Sequence, residues 1–335
     1  MCSPKTNLNA KRPARYRERF RTCDPVPDTR LTLPAFAKIN LSLRVLGKRP
    51  DGYHEVDTVL QTISLHDTII FTVTETPEII LSCDDRSLPT GGDNLIYRAA
   101  KSLQSRFAPG KGARIRLIKR IPVQAGLGGG SSDAAVTLLA LAHLWQVTAK
   151  GPELLEMAAD LGADVPFFFF GGTARGNGAG NNMSPLGDAP DQFLLVIKPS
   201  ANIATSAAYK SLKARSLTTA EAKTILSSSE RGDFSDSFDS TDLQNDFEPA
   251  VFELEPEIKR AKVALTKAGA KAALLAGSGS AVFGIFDNGD AQERAIQMIE
   301  LEAGWRVFLC RMVGRNAYRS AMGPAGEIFA LLFGR

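Results

Sequence analysis

Residues 122 to 132 read Pro122-Val123-Gln124-Ala125-Gly126-Leu127-Gly128-Gly129-Gly130-Ser131-Ser132, a stretch that closes one apolar alternation and opens a long apolar run. Four glycines in five positions leave the backbone free of Cβ atoms and open to positive φ, so successive N–H groups can turn toward one anion. A helix beginning near Ser131 or Ser132 adds its unpaired first-turn N–H groups and its positive dipole end. The segment predicts strand, loop and helix in succession, with a phosphate as the natural guest. Glycine runs also form ordinary turns and serines are ordinary caps, so the residues alone leave a structural turn open. They do exclude two familiar cradles. No lysine follows Gly130, as a Walker loop requires, and the spacing lacks the third glycine of the dinucleotide fingerprint.

A chain of 335 residues with 44% hydrophobic content buries a large core and is expected to divide into two domains. The longest apolar stretches, Ala134 to Trp145 and Val165 to Phe170, are far short of bilayer length and read as a core helix and a core strand. Cysteines at 2, 23, 83 and 310 form no CxxC pair, and His54, His66 and His143 are the only histidines. Zinc and disulfide scaffolds are thereby disfavoured, and the sequence assigns no metal ligands. The net charge of +4 misleads, because residues 1–30 hold eight Lys or Arg against three acids. Lys11 to Arg21 could meet nucleic acid or an anionic surface; a solvated, disordered extension is the expectation, and no nucleic-acid partner is expected. The extension has no apolar secretion core and little serine, which points to a cytoplasmic protein.

The remaining pattern is that of an α+β protein. Leu31 to Arg44, Asp67 to Thr74 and Ile79 to Cys83 read as strands, and Asn94 to Phe107 as a helix. Ala113 to Lys119 alternates as a strand into the glycine loop; helices from Asp133 to Trp145 and from Glu153 to Leu161 follow. Gly171 to Pro190 is turn-rich, Phe193 to Lys198 is a strand, and Ser227 to Asp242 reads as a mobile loop. Irregular succession of strands and helices favours α+β over a doubly wound sheet.

Three clusters carry further chemistry. In Pro34-Ala35-Phe36-Ala37-Lys38-Ile39-Asn40-Leu41, Lys38 and Asn40 share one face of an apolar strand, although a lone strand lysine is usually just exposed. In Leu161-Gly162-Ala163-Asp164-Val165-Pro166, a carboxylate stands between a glycine corner and a phenylalanine run, where a turn or capping role is the commoner one. Ala276-Gly277-Ser278-Gly279-Ser280-Ala281 is a second glycine-serine turn, equally readable as a plain hairpin.

In this order the motifs resemble the superfamily of galactokinase, homoserine kinase, mevalonate kinase and phosphomevalonate kinase, over about residues 31 to 320. With Asp51-Gly52-Tyr53-His54 they resemble the branch acting on a cytidine-diphosphate methylerythritol in the non-mevalonate isoprenoid pathway. The resemblance implies a two-domain α+β fold: a ribosomal-protein-like, ATP-binding N-terminal domain over 31–177 and a substrate-binding α/β sandwich over 178–335. It implies transfer of the ATP γ-phosphoryl group to the 2-hydroxyl of the methylerythritol unit, with Mg²⁺ accompanying ATP. Asp164 would be general base or hold the hydroxyl in line, and Lys38 would stabilise charge on the transferring oxygens, supported by Asn40.

Ala125, Gly126, Leu127, Gly128, Gly129, Gly130, Ser131 and Ser132 would wrap the triphosphate, with adenine near Asn94 and Leu95. Tyr53 and His54 would hold cytosine, with Tyr209, which follows the Pro199 to Thr205 stretch, as the opposite aromatic face. An exposed tyrosine without a partner is the plainer reading of Tyr209. Gly277 and Ser278 complete the substrate set. The implied partners are small molecules, and the protein would be a monomer or homodimer without membrane association. One departure stands out: relatives carry a Gly-x-Gly-Glu turn where this chain has Gly178-Ala179-Gly180-Asn181, so an acidic contact is missing. Mevalonate or homoserine as acceptor would have no use for Tyr53, His54 and Tyr209, and a non-catalytic binding module none for Lys38 and Asp164.

Overall fold

The computed structural model describes residues 29–212, 216, 218 and 243–328. Strand β1 (Arg30–Lys48) and strand β2 (His54–Thr74) form a long antiparallel hairpin. Gly52 N–H donates to Arg49 O at 3.1 Å, and Arg49 N–H to Tyr53 O at 2.7 Å, closing its turn. One edge of β2 is shared: its second half pairs with β4 (Gly112–Ile118), itself paired with β3 (Ile79–Cys83), and its first half with β5 (Thr173–Gly178). Strand β6 (Asn182–Pro185) continues from β5, and the short β8 (Gln244–Asn245) lies beside β1. A second, antiparallel sheet has the order β11-β7-β10-β9, with β7 Phe193–Lys198, β9 Ala272–Leu275, β10 Val282–Phe286 and β11 Arg306–Arg311.

Helices α1 (Leu95–Phe107), α2 (Gly129–Leu144), α3 (Gly151–Leu161) and α4 (Phe167–Phe170) build one core with the first sheet. Helices α6 (Glu248–Leu254), α7 (Pro256–Lys267) and α8 (Gly289–Met298) build another on one face of the second sheet; α5 (Thr205–Ser211) sits at its margin. Between the sheets, Ala37, Ile39 and Leu41 pack against Leu194, Val196 and Phe283. Because side chains alternate along a strand, this burial turns Lys38 and Asn40 to the other face of β1. The chain then returns to the first layer: Val313 N–H donates to Thr62 O at 2.9 Å, and α9 (Arg315–Ala321) drives the fully buried Tyr318 into the first core, where its hydroxyl donates to Phe168 O. The first layer therefore draws on residues from both sides of 177/178.

The α+β class is as expected, and the strands fall into two sheets. Val165 to Phe170, expected as a core strand, is instead a turn leading into α4. Pro166 enters it in helical conformation, and Phe167, Phe168, Phe169 and Phe170 are all buried, because packing surrounds the short helix. Burial on all sides produces the same unbroken apolar run as a buried strand. Helix α2 starts at Gly129, two residues before the expected Ser131, because the glycines themselves form its first turn. The first half of β2 escapes the alternation test because consecutive residues from Thr58 to Ile63 are buried, on both faces of the strand. Similarly, the turn-rich Gly171 to Pro190 contains β5 and β6. Ser227 to Asp242 lies outside the described residues, as does the basic extension through residue 28.

Candidate active site

Lys38 is buried at 3% exposure, a position that requires partners for its ammonium. Its Nζ donates to Asn40 Oδ1 at 2.8 Å and stands 3.3 Å from Asp164 Oδ2. Asn40 Nδ2 donates to Thr58 Oγ1 at 2.8 Å, and that hydroxyl to Ser42 O at 2.6 Å. The ammonium is thus fixed by a relay across the β1–β2 hairpin. Asp164 sits in the turn after α3, where Val165 N–H donates to Gly162 O at 3.1 Å, and its side chain keeps 38% exposure toward the cleft.

The glycine loop threads between β1 and the 276–281 turn. Lys38 N–H donates to Leu127 O at 2.9 Å, and Ala281 N–H to Ala125 O at 3.1 Å, so both neighbours grip the loop backbone. Gly126 has φ +74°, and a Cβ there would stand 1.9 Å from Ala276 O; at Gly128, φ +69°, it would stand 2.9 Å from Lys38 Cγ. Only glycine fits both positions. Gly128 caps α2 without any side-chain hydrogen bond, leaving the first-turn N–H groups open to a ligand.

Behind the loop is a cluster that the sequence did not disclose. Lys119 Nζ donates to Asp67 Oδ2 at 2.5 Å and to Asp133 Oδ2 at 2.8 Å. Asp67 Oδ1 also accepts the N–H groups of Arg120 at 2.5 Å and Ile121 at 2.8 Å. Burial pushes the Asp133 carboxyl up to about 7, with the charge of Asp67 adding to the rise and Lys119 opposing it. Burial works against the Lys119 charge, but Asp133 and Asp67 outweigh it and hold the amine above its ordinary value. The available signal was weak: a lysine ending an alternating strand, and one acid in the second turn of an otherwise apolar helix.

At the opposite end of the cleft, the imidazole of His54 lies 4.7 Å from the Tyr209 ring at 31°, and Tyr209 meets Phe247 edge-on at 4.8 Å. Tyr209 therefore has ring partners and is not a lone exposed tyrosine. Burial pushes its hydroxyl up to about 12, aided by the charge of Asp164. Burial, with the charge of Lys48, holds His54 below its ordinary value. Tyr53 stands free at 66% exposure. Ser278 Oγ donates to Thr205 Oγ1 at 3.2 Å, and Asn245 Nδ2, another residue the sequence did not single out, donates to Leu275 O and Gly277 O at 2.8 Å each. Asn94 is spent as the N-cap of α1, its Oδ1 accepting Ile96 N–H at 2.9 Å and its Nδ2 donating to Pro89 O at 2.8 Å.

One cleft of about 1170 Å³ is lined by Lys38, Asn40, Asp164, Tyr53, His54 and Tyr209, by Asn94, Leu95, Gly277 and Ser278, and by the loop from Ala125 to Ser131. Ser132 is not brought to it: the residue is fully buried, and its Oγ has no hydrogen-bond partner among the described residues. Ala179 and Gly180, in the turn that lacks the acid, also line the cleft. A separate cavity of about 830 Å³, beside Phe107, Lys111 and Trp145, holds none of these residues.

Residues 94–172 match the model of the GHMP kinases N terminal domain, and residues 226–303 that of the GHMP kinases C terminal. The chain is 42% identical over 291 residues to the 4-diphosphocytidyl-2-C-methyl-D-erythritol kinase of Solibacter usitatus, covering 86% of this chain and 90% of that one. The enzyme of the same name from Pelotomaculum thermopropionicum is 43% identical over 256 residues, 76% of this chain and 88% of its own. A crystal structure of 4-(cytidine 5'-diphospho)-2C-methyl-D-erythritol kinase superposes with a TM-score of 0.67 at 34% identity, covering 85% of this chain and 100% of that one. With glycine loop, lysine–aspartate pair and an aromatic cluster in one cleft and likeness of this extent, the chain belongs to the 4-diphosphocytidyl-2-C-methyl-D-erythritol kinase family of the GHMP kinases.

Proposed function

We propose that the chain transfers the γ-phosphoryl group of ATP to the 2-hydroxyl of 4-(cytidine 5'-diphospho)-2-C-methyl-D-erythritol, a step of isoprenoid precursor synthesis. The observation that carries this reading is the Lys38–Asp164 pair, 3.3 Å apart, standing between an anion-binding glycine loop and an aromatic cluster in one cleft. Phosphoryl transfer asks the protein for positioning and charge stabilisation more than for covalent chemistry. Asp164 orients the acceptor hydroxyl and takes its proton as the new P–O bond forms. Lys38, its buried ammonium held by Asn40, itself held by Thr58, stabilises the charge on the transferring oxygens.

The loop from Ala125 to Ser131 and the first turn of α2 hold the triphosphate; Ser132, buried and with its N–H donated to Gly128 O at 2.9 Å, stands outside the set. Adenine lies against Leu95 and the backbone of Asn94. Cytosine takes Tyr53 on one face and Tyr209 on the other, with His54 at its polar edge, and Gly277 and Ser278 close the wall behind the acceptor. Lys48 and Lys210, which also line the cleft, face the acceptor's diphosphate. Among the described residues no group of three or more His, Cys, Asp or Glu is placed to hold a metal. Mg²⁺ accompanying ATP would supply positive charge on its phosphates at the loop formed by Ala125 to Ser131. Residues 31–177 would serve ATP and, through Tyr53 and His54, the cytosine, and 178–335 the rest of the acceptor. No described helix is long and apolar enough to cross a membrane, and we place the enzyme in the cytoplasm as a monomer or homodimer. The test is ADP release from Mg-ATP with the cytidyl acceptor, mevalonate and homoserine compared under identical conditions. Turnover with the cytidyl acceptor alone is expected; activity confined to another alcohol would overturn the acceptor assignment.

A further inference from the structure

Two carboxylates share one ammonium beneath the glycine loop. Lys119 Nζ is bound by Asp67 and Asp133, and lies 3.0 Å from where a Cβ on Gly129 would stand. Both Lys119 and Asp133 line the cleft, and Asp133 follows Gly129 by four residues, one turn along the same face of α2. The two acids differ. Asp67 is saturated, with two backbone N–H groups on one oxygen and Lys119 on the other. Asp133 has Lys119 on Oδ2 only, and its buried Oδ1 has no hydrogen-bond partner among the described residues. With both ionised, the cluster carries an uncompensated negative charge directly under a loop built to receive anions.

A polyphosphate brings several more negative charges to the same loop, and at these distances in a partly buried site such charges act strongly on one another. Asp133, the acid with an unpartnered oxygen, offers the place to take up a proton and shed the surplus. We infer that occupation of the loop by a polyphosphate draws one proton from solvent onto Asp133 Oδ1, so that nucleotide binding is coupled to proton uptake at this residue. The bond formed is O–H, and the proton comes from water or buffer with no other reactant. Should the phosphates pull Lys119 upward, the two acids lose their shared screen and the effect grows in the same direction. Among the described residues, the other charged groups named on elements packed against α2 are turned elsewhere. Lys38 on β1 faces Asp164, Lys101 on α1 is bound to Gln104 and Arg106 to Glu156 on α3, while Arg98 and Asp160 are exposed. On β2, His66 is exposed against Phe36.

The inference rests on the glycine loop being the phosphate site. Burial holds the free carboxyl up at about 7, so uptake is to be read at and above neutrality. Raising the carboxyl further in the complex makes nucleotide binding strongest below pH 7 and weaker as pH rises through it, by up to about tenfold per unit. The experiment is calorimetric titration of the protein with Mg²⁺ and the imido analogue of ATP, in buffers of different ionisation heat, for the wild type and Asp133→Asn. Wild type is expected to take up several tenths of a proton more than the variant at pH 7 to 7.5, and the variant to lose the pH dependence of affinity. Equal proton counts in the two proteins would overturn the inference while leaving the phosphate site intact. Failure of the wild type to bind the analogue would instead overturn the loop reading and the inference with it. If Asp133→Asn does not fold, carbon-13 labelling of the aspartate carboxyls in the wild type decides. A near-neutral titration that moves upward with nucleotide supports the coupling, and one unmoved by nucleotide, or none near neutrality, refutes it.

Discussion

Gly126 and Gly130 lie in the same loop, yet replacing each by alanine is expected to have opposite results. At Gly126 the backbone is left-handed, φ +74°, which costs an L-residue about 1–2 kcal/mol. The new Cβ would also stand 1.9 Å from Ala276 O, a backbone atom that can retreat only with its turn. That retreat pulls on the hydrogen bonds from Ala281 N–H to Ala125 O, 3.1 Å, and from Ser280 N–H to Gln124 O, 3.3 Å. Their loss adds about 0.5–1.5 kcal/mol each, for a total near 2–5 kcal/mol. At Gly130 the nearest atom to a Cβ is Leu95 Cδ1 at 3.6 Å, φ is ordinary, and the position is helical. Alanine there gains up to about 1 kcal/mol of helix propensity. Urea unfolding of the two variants beside the wild type, with nucleotide affinity measured on each, separates the cases. Gly126→Ala should unfold at clearly lower urea and bind ATP weakly; Gly130→Ala should match or exceed the wild type in stability. A neutral Gly126→Ala, or equal losses at both positions, would refute the claim that the loop is clamped between β1 and the 276–281 turn.

Lys38→Met should reduce turnover by about two to three orders of magnitude, the scale of losing one preorganised charge donor, as read from steady-state kcat; a near-normal rate would remove the ammonium from the chemistry. Tyr53→Ala should raise the KM for the cytidyl substrate through a lost stacking contact of about 1–3 kcal/mol, with kcat and the KM for ATP little changed; unaltered acceptor KM would break the proposed cytosine slot. Tyr318→Phe should cost about 1–3 kcal/mol in chemical unfolding, because it strips the Phe168 carbonyl of a donor inside the first core, and a variant as stable as the wild type would show that this bond anchors nothing.

What the sequence disclosed was local. The glycine loop, the Lys38 and Asn40 alternation and the Asp164 turn each depend on a few consecutive residues whose backbone chemistry is readable directly, and their superfamily order led to the family. Contacts between distant segments left no such mark. Asp67 and Lys119 are 52 residues apart, and Asp133 looks like an ordinary helix acid until all three are seen to share one ammonium. Asn245 reads as a loop residue until its amide is found under the 275–277 backbone. Val165 to Phe170 failed for the converse reason: a run buried on every side has no period to distinguish helix from strand. Ser132 failed by one rotation, since α2 begins earlier than its serines suggest and turns that side chain inward.

The most direct test of the central claim is a quench-flow single turnover with γ-labelled ATP, excess enzyme and the cytidyl acceptor, run on wild type and Asp164→Asn at matched ATP occupancy. The account predicts label on the acceptor hydroxyl in the wild type and a rate about 10²–10⁴-fold slower in the variant, which still binds ATP. Transfer by Asp164→Asn at close to the wild-type rate would contradict it.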